Sequence, residues 1–189
     1  MSLDQGLNTY TPGAVVNFFL DLSKKSETPI TPMQLQKLLY FAQGWYLAKF
    51  NKSDKIVPLI NEPFQAWDYG PVSSSVYHEF KRFGSHAIDE VVSMTELEIS
   101  KNSLNVDIVV NNIPQSDETT IKHLENIWNR YSQYSARELS DMTHTKDPEN
   151  PWILTREVGA KEGIARGKEI SNLNIRTYFS KLKSEGREY

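Results

Sequence analysis

The chain has 189 residues and not one cysteine. Disulfides, thiolate metal sites and cysteine nucleophiles are therefore excluded, and a reducing cytoplasm is the simplest compartment to expect. No run approaches the roughly 18 consecutive apolar residues of a membrane span. Met1 to Tyr10 lacks the basic and apolar regions of a signal peptide. A basic excess is also missing. With 21 basic and 24 acidic residues the net charge is -3, which disfavours a general nucleic-acid binder, although net charge does not report local patches. There is no internal repeat and no low-complexity linker. The length implies one domain, 1–189, with a core over about 12–183. A chain of this size buries about 70% of its unfolded surface.

Catalytic signatures are equally sparse. No pair among His78, His86, His123 and His144 has the spacing of a helical metal site, and no HExxH occurs. Gly163 and Gly167-Lys168 are too close together for a phosphate-binding loop, and Glu169 stands where that loop needs Ser or Thr. Ser73-Ser74-Ser75 follows a Gly-Pro turn, where hydroxyls cap backbone N–H groups more often than they attack carbonyls. The alternative enzyme site is the set Asp141, His144 and Asp147, whose blander reading is a loop of caps and Asx-turns. No catalytic, cofactor-binding or metal-binding residue is assigned, and no cofactor is expected.

What is present is helical and aromatic. Thr11-Pro12 reads as an N-cap followed by proline at the first helical position, and Val15, Phe18, Phe19 and Leu22 then share a face. Thr31-Pro32-Met33-Gln34 is a capping box. It opens a helix that is apolar most of the way round and so is expected to be central. Pro63 to Trp67 is extended in character. Gly70-Pro71 reads as a turn whose proline starts a third helix carrying Val72, Val76, Phe80 and Phe83. Residues 95–99 and 104–110 alternate with period two around Lys101-Asn102-Ser103, the pattern of a β-hairpin inserted over about 93–111. Ile121, Leu124, Trp128 and Tyr131 form another helical face, and Ser135 with Glu138 another capping box. Asp147 to Pro151 reads as loop, Gly159 to Lys168 as a flexible basic connection, and Ile175 to Leu182 as the last amphipathic helix. The fold expected is mainly α, a bundle of about five to six helices with a small β-hairpin.

The densest block is Trp67-Asp68-Tyr69-Gly70-Pro71-Val72. Apolar rings at helical spacing usually face inward, so Trp67 and Tyr69 are expected to pack on Trp45 and Phe41. Trp and Tyr are also enriched at binding hot spots. Tyr69, Gly70 and Tyr77 are the members of this block expected to be partly exposed. With Arg82 and the basic Arg166 they make the candidate partner-binding set.

Three sequence blocks point to a family: Leu38-Leu39-Tyr40-Phe41-Ala42-Gln43-Gly44, Phe64-Gln65-Ala66-Trp67-Asp68-Tyr69-Gly70-Pro71-Val72, and Val76-Tyr77-x-x-Phe80. Leu139 to His144, Pro151-Trp152 and Ile175-x-x-Tyr178-Phe179 extend the match, which runs over roughly 12 to 180. Together they resemble the Panacea domain, the SocA-like antitoxin domain also labelled GepA-like and phage-associated. The resemblance implies a compact helical domain from a bacterial or prophage toxin–antitoxin pair. It implies neutralisation of a cognate toxin protein by direct contact, with no catalytic residues to carry over. A homo-oligomer is compatible with it. A phage or mobile-element accessory protein that binds a host regulator or protease component would use the same surface logic.

Overall fold

The computed structural model describes residues 7–52, 55–88, 95–99, 106–110, 112–164 and 166–187, with 95–99 and 106–110 described in backbone only. Seven α-helices and five short strands fall in this part of the chain. Helix α1 spans Pro12–Lys25, capped by Thr11, whose side chain accepts from the Ala14 N–H. Helix α2 spans Pro32–Phe50. Its capping box is complete, with Thr31 receiving the Gln34 N–H and the Gln34 side chain receiving the Thr31 N–H. Every residue from Leu35 to Leu47 is buried, so α2 is the axis of the molecule. The remaining helices are α3 (Ser74–Phe80), α4 (Glu118–Tyr131), α5 (Ala136–Thr143), α6 (Pro151–Lys161) and α7 (Asn172–Ser184).

The closest packing is of α2 on α7. Gly44 makes it possible, because a Cβ there would overlap the ring of the buried Phe179. Phe179 is ringed by Tyr40, Phe41 and Trp45 in edge-on or tilted contacts at 5.0–6.4 Å, an arrangement aromatic quadrupoles favour. Phe41 also stacks flat on Tyr131 of α4 at 4.3 Å, and the Trp45 indole N–H donates to the Tyr131 hydroxyl at 2.9 Å.

Helix α2 also buries three long polar side chains, each satisfied as burial demands. Gln36 bonds both the N–H and the carbonyl of Ser73, at 2.8 and 3.0 Å. Gln43 receives the Ile60 N–H at 3.0 Å and donates to Asn172 at 2.9 Å. Lys37 donates to the carbonyls of Tyr69 and Pro71. The axis thus fixes three separate connections by hydrogen bonds as well as by apolar packing.

A small antiparallel sheet lies against α2 in the order β2-β1-β5, with β1 at Gln65–Trp67, β2 at Gly70–Val72 and β5 at Lys168–Glu169. The register pairs Trp67 with Gly70 and Ala66 with Pro71. Pro71 is therefore in a strand, not the first residue of the third helix, which starts at Ser74 after Ser73. An edge strand tolerates proline because an outward N–H has no ladder partner to lose, and the Gln36 clamp holds Ser73 just outside the helix. A second antiparallel pair joins β3 (Thr95–Ile99) to β4 (Val106–Val110), with Thr95 opposite Val110. The expected connection Lys101-Asn102-Ser103 lies outside the described residues.

The mainly helical expectation agrees with this architecture, with one more helix than expected. Helix α6 occupies part of what reads as loop and flexible connection. Asn150 caps it by accepting the Trp152 N–H at 2.9 Å, with Pro151 at the first position. Gly159 sits in its last turn, where the Ile164 carbonyl folds back to within 2.8 Å of the place a Cβ would take.

Candidate functional site

The sheet projects a tight hairpin, Trp67-Asp68-Tyr69-Gly70. Only Gly70 carries a positive φ, at 99°, a conformation glycine adopts without steric cost, and it closes the two-residue loop opposite Trp67. Gly70 itself is buried. A Cβ there would stand 2.5 Å from Lys37 Nζ and 2.7 Å from Thr143 Oγ1. Gly70 is thus the point of close approach that lets the turn sit on α2 and α5. Tyr69 is thrown outward, 72% exposed.

Trp67 and Tyr69 do not pack on Trp45 and Phe41. The side chains of β1 that face solvent form their own half-exposed cluster. Trp67 meets Tyr77 of α3 edge-on at 4.6 Å. The Arg166 guanidinium lies over the Trp67 ring, 3.8 Å from its centre, a cation–π contact. The Trp152 indole N–H donates to the Trp67 carbonyl at 2.8 Å, and Arg156 pairs with Asp68 at 3.0 Å. Between this cluster and the start of α2 opens a cavity of about 410 Å³, whose lining includes Met33, Lys37, Trp67, Tyr69, Tyr77, Lys81 and Arg166. Its size is typical of a binding cleft.

Of the candidate residues, Tyr69, Tyr77 and Arg166 meet at this cavity. Gly70 supports it from beneath. Arg82 lies outside the lining, with its guanidinium over Phe83 at 4.9 Å. Met33, Lys37 and Lys81 were not singled out from the sequence. For Lys37 a signal existed: a cation within a helix that is apolar all round has to be buried with partners.

Beneath the turn is a polar cluster. Burial pushes the Lys37 ammonium down to about 7. His144 lies alongside, its Nδ1 2.6 Å from the Ser140 carbonyl and its ring edge-on to Trp152 at 4.3 Å. Burial lowers the His144 pKa, and the Lys37 charge lowers it further, against the Ser140 and Asp68 carbonyls and the Asp141 charge, which favour the proton. His144 Nε2 is buried and makes no hydrogen bond. The Ser140 hydroxyl donates to the Tyr69 carbonyl at 3.2 Å.

Asp141, His144 and Asp147 each engage a different partner. Asp141 approaches Arg137 at 4.0 Å. Asp147 receives Lys181 at 3.1 Å; the Glu149 N–H and Lys181 hold its carboxyl below the usual carboxylate range. Among the described residues no group of three His, Asp or Glu side chains is placed to hold a metal ion. No described helix is long and apolar enough to cross a membrane. A second cavity of about 450 Å³ lies between the N-terminal segment and α4. Its polar groups are occupied with one another: Tyr10 and Asn8 donate to Asp117 at 2.5 and 2.8 Å.

The family described as antitoxin SocA-like, Panacea domain, matches residues 35–153, and the chain belongs to that family. Antitoxin SocA of Caulobacter vibrioides (strain NA1000 / CB15N) is 34% identical over 168 residues, covering 88% of this chain and 80% of its own. No solved structure matches.

Proposed function

We propose that this chain is a non-enzymatic antitoxin that silences a toxin protein by direct, stoichiometric contact in the cytoplasm. The contact face is the one that bears Tyr69, Tyr77 and Arg166. The observation that carries the reading is the convergence of Tyr69 and Tyr77 with the sequence-distant Arg166 around one open cavity in a member of an antitoxin family. Tyr and Arg are among the residue types that dominate binding energies, and here they gather around a hairpin whose Tyr69 and Pro71 carbonyls are hydrogen-bonded by Lys37 of the central helix. Tight neutralisation needs an interface of about 1,600 Å² in total. That is larger than the cavity, so the neighbouring surface of α3 and the start of α2 belongs to the same footprint.

The enzyme alternative draws no support from the geometry. His144 turns its free nitrogen into the protein, Asp147 is paired with Lys181 at 3.1 Å, and among the described residues no side-chain hydrogen bond joins Asp141 or Asp147 to the His144 ring. The test is co-expression with the product of the neighbouring reading frame. A stable complex on size exclusion and restored growth are expected. A toxic neighbour that is neither bound nor neutralised contradicts the proposal. His144→Gln is expected to leave neutralisation intact, and its loss from a protein with a normal melting curve would reinstate the enzyme alternative.

A further inference from the structure

The cavity beside Trp67 has a charge character opposed to that of the chain. The protein as a whole carries -3, yet Lys37, Lys81 and Arg166 all line this opening. Its one carboxylate, Asp68, is already paired with Arg156 at 3.0 Å. Among the described residues neither Lys81 nor Arg166 forms an ion pair. Lys37 is at the floor and spends hydrogen bonds on the Tyr69 and Pro71 carbonyls, so the charge available to a visitor is that of the two exposed rim residues. The Arg166 guanidinium carbon lies over the Trp67 ring, 3.8 Å from its centre. A guanidinium positioned by an aromatic face offers N–H donors to a carboxylate with less ordering cost on binding. Met33, Trp67 and Tyr77 supply apolar wall between these cations.

We propose that this cavity is the anchor site for an acidic, apolar-flanked segment of the partner protein: an Asp or Glu carboxylate seats at Lys81 and Arg166, and an adjoining large apolar side chain fills the space between Met33, Trp67 and Tyr77. The proposal rests on the partner-binding reading of this face and adds to it the chemistry of what is bound. Complementary charge at such a rim speeds encounter and rejects basic partners. The carboxylate also supplies the counter-charge the two rim cations lack.

The test uses the full-length chain, isotope-labelled for amide spectra, and two probe peptides, acetyl-Glu-Phe-Glu-Leu-amide and its counterpart with both Glu changed to Gln. The acidic peptide is expected to shift the amides of Tyr69, Tyr77 and Lys81 and to bind about tenfold or more tightly than the neutral one at low salt. The double variant Lys81→Ala, Arg166→Ala should erase that difference, and Tyr77→Ala should weaken both peptides. Equal binding of the two peptides, shifts centred on another face, or tighter binding of an oligothymidylate than of the acidic peptide would overturn the proposal. The co-expressed toxin separates this idea from the antitoxin reading. If the double variant binds and neutralises the toxin as well as the unaltered chain does, the anchor site is wrong and the antitoxin reading stands. If no version touches the toxin but the acidic peptide keeps its preference, the reverse holds.

Discussion

Gly70 is where the chain leaves least room for substitution. It needs a positive φ of 99° and space against Lys37 and Thr143 at the same time. Gly70→Ala is expected to lower stability by about 1–3 kcal/mol, read from the midpoint of thermal or urea unfolding. An unchanged midpoint would mean that the turn can lift off α2 without cost. Lys37 gives a pH signature. Its pKa is depressed by burial to about 7 in the folded protein and is near 10.4 in the unfolded chain. Across that window the unfolded state binds more protons, so the stability contribution is full at high pH and is lost as pH falls toward 7. Stability should therefore rise from pH 7 to 9 with a slope approaching about 1.4 kcal/mol per unit, and Lys37→Met should flatten it. A parallel slope in the variant would contradict the assignment. At this scale the expected exposure of Tyr69 and Tyr77 agrees with the structure. The sequence misplaced Gly70 as surface and passed over Lys37, because both roles depend on α2 and α5 meeting the turn, a contact between segments far apart in the chain.

Helix α2 decides the arrangement of the elements. Its start was fully legible, since the Thr31–Gln34 capping box is a local device. Thr31→Ala should cost about 1 kcal/mol of unfolding free energy. Gly44 belongs to a longer-range device, the α2–α7 crossing. Gly44→Ala improves local helix propensity but drives a methyl group into the buried Phe179 ring, so the net effect expected is destabilisation by about 1–3 kcal/mol. A gain in stability would show that α7 can shift outward freely. Helix α6 was hidden for a different reason. Its apolar pair Leu154 and Val158 lies on the exposed face, and the buried face carries Pro151, Thr155 and Gly159, which give no apolar signal. What holds it is the Asn150 cap and its neighbours β1 and β5. Strand β2 was hidden because Gly-Pro looks the same before a helix and at a sheet edge, and only the pairing of Ala66 with Pro71 separates the two.

At the scale of the whole molecule, a helical core holds an aromatic hairpin at the surface through hydrogen bonds from Lys37, Ser140 and Trp152. The packing signals in the sequence specify that core: the caps, the apolar faces and Gly44 all serve it. The cavity was less legible, because its walls come from α2, β1, α3 and the stretch just before β5. No local pattern brings Met33, Trp67, Tyr77 and Arg166 together. The antitoxin account requires this face, and not the surface of α1 and α4, to be covered in the complex. Hydrogen–deuterium exchange of the chain alone and bound to its toxin tests that most directly. The account predicts new protection concentrated in 33–37, 66–81 and 166–169, with α1 and α4 unchanged. Protection confined to α1 and α4, with the Trp67–Tyr77 face exchanging as in the free chain, would contradict it.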